Sequence, residues 1–278
     1  MYKLKAKHSA AQWLVAATLL ASALFTGCSS AKQTETDNSI KRTKANYRSA
    51  FDFVPGNKVL WHESFSATSA GSFPKGWNTN ASAEVVQENN NTHALLLTRD
   101  GVYIPTVVNF PETFTLQFTL SCSADYSYYS SPLQIMFAAL SSKKEFTVLK
   151  QYNPHNKDVV KLTLHPMNAA AKAGSSTIEL IEKGTRQSTN EIGINEFFAG
   201  GGPATVKVSI WRQGERLRVY LNKEKVWDLP QAFSQTAHYN SLIFGISHLT
   251  DKGGKYYLSD IILATDETNA AAQPKIIK

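Results

Sequence analysis

The chain has 278 residues, 42% hydrophobic and 18% charged, with 29 basic against 22 acidic residues and a formal charge of +7. The basic excess is interspersed with acidic residues, and its one dense cluster, Lys41-Arg42-Thr43-Lys44 with Arg48, reads as a solvated tether near a membrane surface, so no nucleic-acid partner is expected. Two cysteines, Cys28 and Cys122, are too few for a disulfide framework.

The first element is a leader. Lys3, Lys5 and Lys7 precede an apolar run from Trp13 to Phe25, the n-region and h-region of an export signal. The run is shorter than the roughly 20 residues a membrane-spanning helix needs. Leu24-Phe25-Thr26-Gly27-Cys28 resembles the lipobox of bacterial lipoproteins. The resemblance implies cleavage after residue 27, diacylglycerol on the Cys28 thiol, and attachment to a membrane through that lipid. Each buried methylene contributes about 0.8 kcal/mol, so several acyl chains make a stable anchor. Ser29 is similar to the residue that permits sorting to an outer membrane, and localisation in the cell envelope, facing the periplasm or the surface, is the expectation. Without the three leader lysines the charge of +7 falls to +4.

Residues 28–50 are rich in Ser, Thr, Asn, Lys and Gln, the composition of a flexible tether. With Cys28 committed to lipid, Cys122 has no disulfide partner and is expected to be a small, inert, buried hydrophobe.

From 51 to 266 short apolar runs alternate with turn residues, and no window shows a helical stripe. Expected strands are Val59 to Phe65, Ala83 to Gln87, Ala94 to Thr98, Phe114 to Cys122, Leu133 to Leu140, Phe146 to Tyr152, Val159 to Leu164 and Thr177 to Glu182. Next, Val206, Val208 and Ile210 alternate with Lys207 and Ser209, Gln213-Gly214 turns the chain, and Leu217, Val219 and Leu221 return it as a hairpin. Val226-Trp227, Leu242 to Ile246 and Tyr256 to Ala264 complete the series, while 167–175 and 185–203 read as loops and 267–278 as a polar tail. A dozen or so such strands predict an all-β fold, a two-sheet antiparallel sandwich.

The stretches Phe51-Asp52-Phe53-Val54-Pro55-Gly56-Asn57-Lys58-Val59-Leu60, Glu63-Ser64-Phe65-Ser66 and Gly71-Ser72-Phe73-Pro74-Lys75-Gly76-Trp77 resemble the opening of a domain found in Bacteroidetes cell-envelope proteins. Arg218-Val219-Tyr220-Leu221-Asn222, Val226-Trp227-Asp228-Leu229-Pro230 and Tyr257-Leu258-Ser259-Asp260-Ile261 are similar to its ending. That domain is related to concanavalin A-like lectins and glucanases, and the resemblance implies a jelly roll. Some relatives of the outer-membrane protein A type add a C-terminal peptidoglycan-binding domain. This chain ends at Lys278 without room for one, so attachment is expected to come from the lipid.

Glucanases of that superfamily use carboxylates at alternating positions on one strand. Glu179 and Glu182 are three residues apart and point to opposite faces, which argues against catalysis and leaves them as solvated charges near a strand end. Gly245-Ile246-Ser247-His248-Leu249 lacks the second glycine of a nucleophile elbow. Gly200-Gly201-Gly202-Pro203 lacks the Lys and Ser/Thr of a phosphate loop. The histidines show no metal-ligand spacing, and Asp251-Lys252-Gly253-Gly254 reads as a turn before a calcium site. No catalytic residue, metal or cofactor is expected.

Tyr126, Tyr128 and Tyr129, interleaved with serines, suit stacking on sugar rings or contact with protein, and buried rings sealing the sandwich are the alternative. Trp211, in phase with the polar positions of its strand, is a second candidate platform, while Trp61, Trp77 and Trp227 fit the core. The expectation is a non-catalytic, lectin-like envelope protein binding a glycan or an envelope partner. A jelly-roll glycoside hydrolase and a structural assembly subunit are its rivals.

Overall fold

The computed structural model describes residues 51–267, apart from 88–91, 99, 107–109, 151–153, 155, 169–171, 201 and 247–252. The leader, Cys28, the tether, the tail beyond Glu267, His155, His248 and Asp251-Lys252 lie outside the described residues.

The strands in chain order are β1 (Lys58–Glu63), β2 (Trp77–Thr79), β3 (Ala83–Gln87), β4 (His93–Leu97), β5 (Val102–Pro105), β6 (Thr113–Cys122), β7 (Leu133–Ala138) and β8 (Val159–Asn168). They continue with β9 (Ala173–Glu182), β10 (Thr185–Ile194), β11 (Ala204–Gln213), β12 (Arg216–Leu221), β13 (Glu224–Leu229), β14 (Ser241–Ile246) and β15 (Tyr256–Thr265). One sheet of eight strands runs β13-β12-β11-β6-β15-β4-β3, with β1 also paired to β15. The other, of seven, runs β10-β9-β8-β7-β14-β5-β2.

Alternation decides which side chains meet between the sheets. Phe114, Leu116, Phe118, Leu120 and Cys122 of β6 point inward and share one core with Leu133, Ile135 and Phe137 of β7 and Val160, Leu162 and Leu164 of β8. Phe118 meets Phe244 edge to face at 5.6 Å, and Trp77 stacks on Phe244 at 6.2 Å. Each such ring or branched chain contributes about 1.5–3 kcal/mol by leaving water. Cys122 is buried and free, and burial pushes its thiol pKa up, as expected of an inert hydrophobe. Pairing of β1 with β15 ties the two ends of the fold together.

Several expectations need correction: 167–175 is not a loop throughout, since β8 runs to Asn168 and β9 starts at Ala173, and β2 and β5 lie outside the expected strands. Of the expected strand Phe146 to Tyr152, residues 151 and 152 lie outside the described ones, and the rest belongs to a 3-10 segment, Lys143–Lys150, in which the spacing of Phe146 and Leu149 puts both on one side of a helix with three residues per turn. Their side chains join Val102, Ile104, Met136 and Ile243, a second apolar cluster on the outward face of the seven-stranded sheet. Nor is 185–203 all loop, because Thr185–Ile194 is β10, an edge strand paired with β9 along its length. Exposed polar residues on both its faces hide the period, as suits an edge that must not aggregate. Lys183 and Gly184, with φ of 48° and 80°, form the two-residue turn between them.

Candidate functional site

The chain passes from one sheet to the other after β6 through residues 123–132, and serine hydroxyls bridge this turn. Ser130 Oγ accepts from the Ser127 amide at 3.0 Å, and Ser127 Oγ accepts from the Tyr129 amide at 3.2 Å. Gly254, at φ 78°, lies so close that a Cβ there would sit 2.4 Å from Ser130 Oγ.

The three tyrosines part company here. Tyr126 is 4% exposed. Its hydroxyl donates to the Ser131 carbonyl at 3.2 Å and accepts from Tyr256 at 2.9 Å. Burial pushes both phenol pKa values up. Tyr126 is thus corrected from contact residue to the alternative weighed for it, a ring sealing the sandwich. Tyr128 and Tyr129 are 45% and 65% exposed and meet edge to face at 5.1 Å. Tyr128 stacks over His165 of β8 at 6.5 Å, with 29° between the rings. Burial holds the His165 pKa down, against a hydrogen bond with the Ser130 backbone and the charge of Glu191. His165 Nε2, shielded from solvent, has no hydrogen-bond partner among the described residues.

His165 stands on the outward face of the seven-stranded sheet, and the register assembles polar rows beside it. Gly245, Gln134, Thr163, Thr177 and Glu191 lie side by side across β14, β7, β8, β9 and β10. The next row holds Met136, Lys161, Glu179 and Thr189. Lys161 Nζ lies 2.5 Å from one Glu179 oxygen and Arg186 3.2 Å from the other. The Glu179 side chain is only 11% exposed, which corrects the expectation of a solvated charge. Both oxygens are engaged by cations. The 3-10 segment covers the apolar part of this face. Strand phase was the only sequence signal for Gln134, Thr163, His165, Thr177 and Glu191.

No family model and no curated protein sequence matches the chain. Solved structures are similar to it. The Emp47p carbohydrate recognition domain matches with a TM-score of 0.52 at 12% identity, over 77% of this chain and 100% of that one. The GH16 protein of the Bacteroides ovatus mixed linkage glucan PUL, in complex with its G4G4G3G product, matches with a TM-score of 0.50 at 11% identity, over 74% and 100%. A glycoside hydrolase family 16 endo-glucanase from Bacteroides ovatus has a TM-score of 0.50 at 10% identity, over the same shares. The fold is a concanavalin A-like jelly roll.

On the other sheet of the jelly roll, Trp211 faces outward as its phase predicts, paired with Arg218 of β12. Its ring is nevertheless half-buried. Phe53 meets it edge-on at 6.1 Å, and the Arg218 guanidinium lies 4.7 Å from its centroid. Both belong to a strap, residues 51–57, and the surface under it. Asp52 accepts from the Tyr220 hydroxyl at 2.8 Å and from Lys225 at 3.3 Å. The Gly56 amide donates to Thr115 Oγ1 at 2.9 Å. Trp211 is therefore corrected from open platform to the floor of the strap.

Proposed function

We propose that the chain is a lipid-anchored cell-envelope protein whose jelly roll is a non-catalytic, lectin-like module that binds a glycan on the tyrosine turn. The observation that carries this reading is the exposed Tyr128 and Tyr129 pair on a turn braced by serine hydrogen bonds. Exposed rings on a preorganised turn stack against the C–H faces of sugars at little entropic cost. Gln134, Thr163 and Thr177 carry donors and acceptors suited to sugar hydroxyls on the same face. The fold agrees, since one similar structure is named a carbohydrate recognition domain and another holds a glucan product.

Hydrolysis is the weaker reading because a glycosidase needs two available carboxylates. On this face Glu179 is held by Lys161 and Arg186 and Glu145 of the 3-10 segment pairs with Lys157, which leaves Glu191 as the candidate to test. Lipid on Cys28 would supply the membrane attachment.

The test is titration calorimetry of the protein against neutral and acidic oligosaccharides. Tyr128→Ala with Tyr129→Ala should weaken binding at least about tenfold, the equivalent of about 1.4 kcal/mol. Unchanged affinity in that variant defeats the tyrosine reading. Release of reducing ends that depends on Glu191 defeats the non-catalytic one.

A further inference from the structure

A cavity of about 650 Å3 opens on the outward face of the eight-stranded sheet. Its floor comes from three neighbouring strands. Thr205, Ser121 and Tyr257 form one row across β11, β6 and β15, and Thr119 and Ser259 lie in the next. Ser121 Oγ and Thr205 Oγ1 are 2.8 Å apart.

The rim is built by two residues in unusual backbone conformations. Asp260, at φ 50°, sits in a β-bulge between Ser259 and Ile262, with its carboxylate 2.9 Å from His62 Nε2. Phe65, fully buried at φ 59°, is fixed by its amide donating to Glu63 Oε1 at 2.8 Å. It thereby holds Ser64 and Ser66, whose hydroxyls are 2.8 Å apart, on the cavity wall. Left-handed non-glycine residues are strained and persist where the surrounding structure over-determines them, and bulges re-aim side chains beside sites.

The lining chemistry selects the ligand. No lysine or arginine lines the cavity; His93 is the one basic side chain in its lining and Lys207 stands beside Thr119 in the second row, so hydroxyls outnumber cations there. Asp260 is its one carboxylate and is already engaged by His62. No group of three or more His, Cys, Asp or Glu among the described residues could hold a metal. An apolar ligand would strand the hydroxyls. Hydroxyls both donate and accept, and Tyr257 adds a ring. The complement is a neutral polyhydroxylated molecule, and the volume falls within the ~300–1,000 Å3 of small-ligand sites.

The geometry points to a second binding site, for a neutral glycan, on the opposite sheet from the tyrosine turn. If both sites are filled, which rests on the tyrosine reading, one chain holds two glycan segments and cross-links a polysaccharide.

The test is calorimetry of the full-length protein in detergent with glucose-, mannose- and xylose-based tetrasaccharides, and with a galacturonic acid oligosaccharide as the acidic probe. Two variants address the cleft: Ser121→Ala with Ser259→Ala, and Asp260→Asn, since Asn tolerates the left-handed region. Both are checked for wild-type thermal unfolding. Two sites per chain are expected, falling to one, or to at least tenfold weaker filling of one, in either cleft variant. Tyr128→Ala with Tyr129→Ala should remove the other site. Binding that both cleft variants leave unchanged overturns the proposal, as does a preference for the acidic probe or no binding of any neutral sugar. If the cleft variants abolish binding and the tyrosine variant does not, the cleft stands and the tyrosine reading falls.

Discussion

Tyr126, Tyr128 and Tyr129 share one side-chain chemistry but not one surrounding. The Tyr126 ring is enclosed, and its hydroxyl is committed to Tyr256 and Ser131. Tyr126→Phe should therefore lower stability by about 1 kcal/mol, the net worth of a hydrogen bond, and leave sugar affinity unchanged. Chemical denaturation and calorimetry on one sample check both halves. Glu179 follows the same logic with charge. Glu179→Ala leaves Lys161, with its side chain 8% exposed, without its carboxylate, and removal of one partner from a buried ion pair costs about 3–5 kcal/mol. Glu182→Ala, at an exposed position, should change stability by less than about 0.5 kcal/mol. Equal urea midpoints for the two variants would contradict the buried network.

At the scale of elements, the strap and the tyrosine turn are each secured by distant parts of the chain. The hydrogen bond from Tyr220, more than that from Lys225, holds the Asp52 pKa below the ordinary carboxylate range against desolvation. A depressed folded-state pKa means that the stabilisation is complete above the unfolded-state value and is lost as pH falls through the folded one. The melting temperature of the protein should exceed that of Asp52→Asn at neutral pH, and the gap should close in acid below pH ~4. A gap that persists unchanged into strong acid contradicts the carboxylate's role. For the turn, Gly254→Ala should displace Ser130, because φ 78° disfavours a side chain and the new Cβ would collide with Ser130 Oγ. The expected readout is loss of sugar binding at the tyrosines with the cleft of the other sheet unaffected.

For the molecule as a whole, the sandwich presents two outward faces pointing away from each other, and each is partly covered by its own chain. The 3-10 segment takes the apolar part of one, and the strap takes the Trp211 end of the other. If Cys28 carries lipid, Cys28→Ser should move the protein from the detergent phase to the aqueous phase on cloud-point partition, with glycan affinity unchanged. Retention in the detergent phase would point to another anchor. The order of residues determined the all-β class and located twelve of the fifteen strands, missing β2, β5 and β10, because a period of two is a local property. Phase alone could state that Trp211 points away from the core and that Cys122 points into it. It could not state that Phe53 lies over Trp211, since Asp52 and Tyr220, which hold the strap there, are 168 positions apart. Tyr126 and Tyr256 are separated by 130 positions, and Ser121 and Thr205 by 84. Which polar faces stay open, which tyrosines remain exposed and where hydroxyls from three strands converge depend on such long-range pairings, and only the tertiary structure decides them.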